Sequence, residues 1–223
     1  MTDPRDPFAS EREEAERPSP TRPYSIAVGI LFLVVIGFAS ISLLGNNSAP
    51  SGLRNGDPLP KFAAPAATGT LRGDANVSSN ACRVRLDGAI RICDYFKRPL
   101  VMVVWFSKCG GHCEPMLDRI ERVRRLFPNV GFLGLDTRDS EDKAREAVQK
   151  NGWHFPMAVD RDGAVGTLYG VKVGPTTYFA YPGGVVADSA LGELSDQELI
   201  QRVRDLVRVS ERRARVRASR GGQ

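Results

Sequence analysis

Six apolar residues, Val101-Met102-Val103-Val104-Trp105-Phe106, run without a polar residue at alternate positions. Such a run reads as a strand buried on both faces, which puts it in the middle of an α/β sheet. Ser107-Lys108-Cys109-Gly110-Gly111-His112-Cys113-Glu114-Pro115 follows. Met116, Leu117, Ile120, Val123, Leu126 and Phe127 then recur at helical spacing, with Arg and Glu between them. Two thiols are therefore expected where a central strand meets a helix N-terminus. The unpaired N–H groups and the dipole there favour thiolate over thiol. This arrangement suits thiol–disulfide exchange; the plainer alternative is two small buried residues in a turn.

A second stretch limits where such a domain can sit. Tyr24 to Leu44 is 21 residues long and carries no charge, and about 20 apolar residues span a ~30 Å hydrocarbon core. Ser42-Leu43-Leu44 is a poor cleavage motif, so an uncleaved transmembrane anchor at 24–44 is expected. Arg5, Arg12, Arg17 and Arg22 precede it, whereas only Arg54 and Lys61 lie in a comparable stretch after it. Basic residues stay inside, so the N-terminus is expected in the cytoplasm and the domain outside. Arginine outnumbers lysine 25 to 6, in keeping with a GC-rich bacterial genome, so the expected location is a bacterial cell membrane. The net charge of +5 owes much to eight arginines between Arg202 and Arg220, read as a solvated helix and frayed tail. No aromatic-studded basic face accompanies them, which argues against a nucleic-acid partner.

In chain order, residues 1–23 are Pro-rich and charged, the composition of a disordered cytoplasmic tail. Residues 45–56 read as a flexible linker rich in Gly, Asn and Ser. Cys82 to Cys93 reads as a β-hairpin about Asp87-Gly88, pairing Leu86 with Ala89, Val84 with Arg91, and Cys82 with Cys93. The two cysteines would lie opposite each other at a hydrogen-bonded position, where Cα atoms are farther apart than at the alternative one. A structural disulfide is still expected, because the compartment is oxidising. Val130 to Asp136 is another buried strand, and Ser140 caps a helix from Glu141 to Lys150 that Asn151-Gly152 ends. Phe155–Val159 is a short strand, Asp160 to Gly163 a turn, and Ala164–Tyr169 a brief helix. Thr176–Tyr181 and Val185–Ser189 form a hairpin, and Ser195 with Glu198 makes a capping box for the last helix. The order predicts an α/β sandwich with a mixed sheet.

The span from about Asp57 to Val209 resembles the membrane-tethered thioredoxin-like thiol-disulfide oxidoreductases of bacteria. The likeness rests on the strand–Cys–helix unit at 101–127, on Gly152-Trp153-His154-Phe155-Pro156-Met157-Ala158-Val159-Asp160, and on Val173-Gly174-Pro175-Thr176-Thr177-Tyr178. It implies a thioredoxin-like three-layer sandwich over 57–209, with the N-terminal hairpin before the sheet and a basic tail at 210–223. It also implies that Pro175 is cis and lies against the cysteine pair, leaving the backbone before it free for a substrate strand. An ordinary strand-opening proline is the alternative. Two departures stand out: three residues separate Cys109 from Cys113 where the family has two, and Met116 stands where the family has an acidic residue.

The three-residue gap is also similar to the copper-delivery assembly proteins of cytochrome oxidase, which share the fold. Those add a distant histidine to two cysteines as soft copper ligands. That histidine lies near the strand at 176–181, where this chain has Gly174 and Pro175, and the only histidines are His112 and His154. A copper-binding assembly factor is therefore the second reading; exchange through the two thiols requires neither a metal nor an organic cofactor, and none is expected. The resemblance implies exchange through Cys109 and Cys113, with protein thiols or disulfides as substrates and a separate electron donor or acceptor. A redox-inert binding module of the same fold is the third reading.

Overall fold

The structure, a computed structural model, describes residues 28–33, 52–109 and 111–221. The chain divides into two compact units, Met1–Asn47 and Ser48–Gln223. In the first, residues 28–33 are helical with exposed side chains; the rest of the span expected at 24–44 lies outside the described residues. Among the described residues no helix is long and apolar enough to cross a membrane.

The second unit is built on a five-stranded sheet in the order β5-β4-β3-β6-β7. Its strands are β3 (Leu100–Trp105), β4 (Gly131–Thr137), β5 (Met157–Asp160), β6 (Thr176–Tyr181) and β7 (Val185–Leu191). β3, β4 and β5 run parallel, while β6 and β7 are antiparallel to their neighbours, so the sheet is mixed. Every residue of β3 is buried, because it is paired on both edges and covered on both faces. Val101, Val103 and Trp105 face one apolar cluster; Leu100, Met102 and Val104 face the other.

Three helices cover the first face: α1 (Cys113–Val123), α2 (Glu141–Asn151) and α4 (Asp196–Gly221). They contribute Met116, Leu117 and Ile120, then Ala144 and Val148, then Leu199, Val203 and Leu206. The short α3 (Ala164–Leu168) and the segment from 52 to 96 supply the second face, through Leu59, Phe62, Ile92 and Val165. α2 starts and stops where its sequence dictates. Ser140 accepts the Lys143 N–H, and Gly152 takes the left-handed conformation that an L side chain resists. The Ser195–Glu198 capping box forms reciprocally at the head of α4.

Three expectations need correcting. The first is the hairpin at 82–93. Gly88 does turn, with φ +82 and the Ala89 N–H donating to Leu86. Yet β2 (Ala89–Arg91) pairs with β1 (Ala63–Pro65), and Cys82 and Cys93 sit on separate 3₁₀ turns, Ala81–Arg83 and Ile92–Tyr95. Burial decides between the two partners. Ala63 and Ala64 go into the core, whereas Arg83, Arg85 and Leu86 of the expected arm are exposed and would bury little.

The second concerns the linker expected at 45–56. Its described part is docked, with Leu53 against the second cluster and the Gly56 N–H donating to Val186. Gly52 and Gly170 meet backbone to backbone, and a Cβ on Gly52 would stand 2.9 Å from the Gly170 Cα. The third is the basic stretch from 210, expected as a tail, which is helical to Gly221. Arginine is a good helix former, and packing continues past 209. Ser210 is buried, and the Arg213 guanidinium lies 3.7 Å from the centre of the Tyr181 ring.

Candidate active site

β3 ends at Trp105, whose position is fixed by an indole N–H donating to the Met157 sulfur and by edge contact with Trp153. The chain then leaves the sheet through Phe106, Ser107 and Lys108 to reach Cys109. Asp139, in the loop after β4, clamps this exit by accepting the Ser107 N–H at 2.6 Å and the Ser107 hydroxyl at 2.7 Å. Gly111 has φ +82 with open space around it, so a left-handed residue turns the loop back towards α1. The His112 N–H donates to the Cys109 carbonyl across the turn.

Cys109 and Cys113 are joined, with Cα atoms 6.0 Å apart. Their surroundings differ. Cys113 is the first residue of α1 and 1% exposed, while Cys109 is half-buried at the rim of the same cluster. Pro115, in the first turn, removes an N–H that has no intrahelical partner to lose.

The Gly174–Pro175 bond is cis, and Pro175 is buried. Gly174 is where the loop meets the couple. A Cβ there would lie 2.8 Å from the Phe106 ring and 3.3 Å from the Cys113 sulfur, so only glycine fits without displacing them. Pro175 is tied in turn to the loop after β7, because its carbonyl accepts the Gly192 N–H.

That loop was not legible as part of the site. Glu193 accepts from Arg119 of α1 at 2.7 Å and lies 2.9 Å from His112 Nδ1, between the two cysteines. Arg119 first, then His112, hold its carboxyl below the usual range. The Leu194 N–H meanwhile points at the Met116 sulfur. His154 is elsewhere: its N–H donates to Glu121, eight residues along α1 from Cys113, or about 12 Å of helix rise. Burial works to raise Glu121, but hydrogen bonds from Arg124, the His154 N–H and Arg125 outweigh it and hold the carboxyl at about 2.

Asp136 is a second unforeseen group. It pairs with Trp105 at the end of the central strands and is 1% exposed, yet neither carboxyl oxygen has a hydrogen-bond partner. Burial, then the neighbouring carboxylates of Asp139 and Asp160, push it up to about 9 against a smaller pull from Lys143. It is therefore uncharged at neutral pH. The rule that sites gather at the C-terminal ends of parallel strands is the one signal that could have flagged Asp136 and Asp139.

The other cysteines, Cys82 and Cys93, are also joined, with Cα atoms 5.9 Å apart. Cys93 packs on the second cluster, across the sheet from the Cys109–Cys113 couple.

A thioredoxin-like mixed sheet presenting a cysteine pair at a helix N-terminus beside a cis-proline loop defines a redoxin. The chain belongs to the AhpC/TSA family, whose profile matches residues 56–189. Among curated proteins it is similar to the thiol-disulfide oxidoreductase ResA of Bacillus thuringiensis (strain Al Hakam), 25% identical over 101 residues. That match covers 43% of this chain and 58% of ResA, so the chain spans little more than half the length of that relative. The thioredoxin-like protein YneN of Bacillus subtilis (strain 168) is 21% identical over 180 residues, 78% of this chain and 94% of YneN. Among solved structures, a putative thiol:disulfide interchange protein DsbE from Chlorobium tepidum matches with a TM-score of 0.58 and 20% identity, over 70% of this chain and 99% of its own. MTB dsbF, in its mixed oxidized and reduced forms, matches with a TM-score of 0.53 and 26% identity, over 66% and 96%.

Proposed function

We propose that this chain is a membrane-tethered, extracytoplasmic thiol-disulfide oxidoreductase working through Cys109 and Cys113. The observation that carries the reading is the asymmetry of the couple: one sulfur half-buried on a glycine loop, the other enclosed at the first residue of α1 and roofed by Gly174. The Cys109 thiolate attacks a substrate disulfide, giving a mixed disulfide and expelling one substrate thiolate. Cys113 then attacks the Cys109 sulfur, closing the couple and releasing the second. The orphan N–H groups of α1 stabilise negative charge on sulfur during both steps.

Pro175 holds its loop against the couple, which leaves the backbone just before it, at Gly174, for a substrate backbone. Cys82–Cys93 braces the second face and takes no part in turnover. Residues 24–44 anchor the chain, residues 1–23 form a cytoplasmic tail, and 57–209 carry the exchange reaction outside; the arginine asymmetry supports this orientation.

The activity is tested with the full chain in detergent and a neutral disulfide substrate. Turnover with a dithiol donor, lost in Cys109→Ala, is expected; a folded, fully reduced chain that leaves the disulfide intact would leave only a binding role. A reporter fused after Gln223 should be active in its extracytoplasmic form, and activity confined to the cytoplasmic form reverses the topology.

A further inference from the structure

A cavity of about 340 Å³ opens at the C-terminal ends of β3 and β4. Ser107 and Lys108 form one wall, leading straight into Cys109; Arg138 and Asp139 form another, with Lys143 of α2 and Lys172 of the loop before Gly174 completing it. This is the position where open α/β sheets gather their ligands. A larger cavity of about 490 Å³ lies near Pro128 and Pro156 at the opposite strand ends. Neither cavity has a cysteine on its walls, and the first adjoins the couple through Lys108, the residue before Cys109.

Charge distinguishes the cavity beside Cys109. Lys108, Arg138, Lys143 and Lys172 are all exposed, and among the described residues none of them is in an ion pair. Elsewhere cations are commonly paired: Arg72 with Asp142, Arg119 with Glu193, Arg161 with Asp74, and Arg202 with Asp188. The one carboxylate on the wall, Asp139, is 7% exposed and engaged by Ser107 through both oxygens. Asp136 behind it is protonated at neutral pH and offsets nothing.

Arg138 is also held in an unusual backbone state. Among the described residues it is the only non-glycine with positive φ, at +66, and its N–H donates to the Asp160 carbonyl. Its side chain lies over Gly163, where a Cβ would come within 3.0 Å of it. Strained backbone of this kind persists where the surroundings impose it, and it clusters at functional sites. Four unpaired cations around one cleft focus the field there and concentrate ligands of opposite sign.

We propose that this cavity is a subsite for carboxylates flanking the reacting sulfurs of the substrate, so that exchange at Cys109 selects anionic disulfides. The inference rests on the exchange reading above. In each turnover the protein dithiol loses two electrons and two protons, the substrate disulfide gains them as two thiols, and a dithiol reductant restores the couple. Only the substrate's leaving path and approach differ by charge; the bonds made and broken are the same.

The test uses the pre-reduced full chain and three small disulfides: dithiodipropionate as the dianion, bis(hydroxyethyl) disulfide as the neutral compound, and cystamine as the dication. Each rate is divided by that of free dithiothreitol with the same disulfide, which removes intrinsic reactivity. The normalised rate for the dianion should exceed that for the dication by roughly tenfold or more at low ionic strength. The two should converge near 1 M salt, where the Debye length falls to ~3 Å. In Lys143→Glu/Lys172→Glu the ratio should fall towards one. A bridged peptide with glutamates beside its cystine extends the test: preference for both anionic probes means a free small disulfide suffices, and preference for the peptide alone makes the source a protein segment. Equal rates for dianion and dication, with no preference for the glutamate peptide either, overturn the inference while exchange stands. So does a ratio that survives the double substitution, since overall charge would then be its cause. No reaction with the neutral disulfide defeats the exchange reading itself, and the inference with it.

Discussion

Two cysteine pairs on opposite faces of one sheet have nearly the same Cα separation, 6.0 Å for Cys109–Cys113 and 5.9 Å for Cys82–Cys93. Their settings differ in every other respect. The first pair, four apart in sequence, lies at the N-terminus of an eleven-residue helix, beside a glycine–proline loop. The second, eleven apart in sequence, links two 3₁₀ turns, with no α-helix start at either sulfur. A thiolate released at Cys109 or Cys113 lies at the start of an α-helix, with its dipole and first-turn N–H groups; one released at Cys82 or Cys93 has no α-helix start beside it. The lesson is that a helix terminus, more than proximity, separates a couple built to open from one built to stay closed.

The largest expected effect breaks the first pair. Cys109→Ala should abolish exchange activity in a chain that still folds, because no other described thiol pair stands at a helix start; retained turnover would move the chemistry elsewhere. Breaking the second pair should cost stability instead. Cys82→Ser/Cys93→Ser is expected to lose ~2–3 kcal/mol, the loop-closure figure for so short a span. Exchange per folded molecule should be unchanged when urea midpoints and rates are measured on the same samples.

A third prediction concerns Asp136, which belongs to the first face. Its folded pKa, about 9, lies above the unfolded value of ~3.9, so the folded chain binds more protons across that window. Stability therefore falls as pH rises through it. Asp136→Asn removes the burden. The variant should gain on wild type between pH ~4 and pH ~8, by on the order of a few kcal/mol at the upper end. An equal difference at both pH values would show that Asp136 is ionised in the folded chain. The smallest effect is expected from Ser107→Ala, which removes one hydrogen bond from the Asp139 clamp and keeps the backbone one. About 1 kcal/mol of stability should be lost, with a rate lowered only through looser placement of Cys109.

How legible each region was follows from how local its determinants are. β3, the two-cysteine loop, the α2 caps and the Ser195 capping box are written in contiguous residues, and each forms within a residue or a few of its expected place. The pairing of β2 was misread because Asp87-Gly88 signals a turn but not which strand is recruited. That choice depends on Phe62 and Ala64 finding a core assembled from distant segments. The Asp139–Ser107 clamp spans 32 residues and the Glu193–His112 contact spans 81. Neither has a sequence signature, since each exists only after the sheet has set strand ends side by side. The helix beyond 210 was legible as arginine-rich but not as packed, because its anchor, Tyr181, comes from β6.

The claim that Cys109 attacks and Cys113 resolves is tested most directly by trapping mixed disulfides on single variants of the full chain. With a neutral disulfide probe bearing a mass tag, Cys113→Ala should accumulate an adduct on Cys109 that persists, because the resolving sulfur is gone. Cys109→Ala should trap little, since Cys113 is 1% exposed beneath Gly174 and Phe106. Adduct accumulating on Cys113 in Cys109→Ala, with none on Cys109 in the reciprocal variant, would contradict the assignment and make the enclosed sulfur the nucleophile.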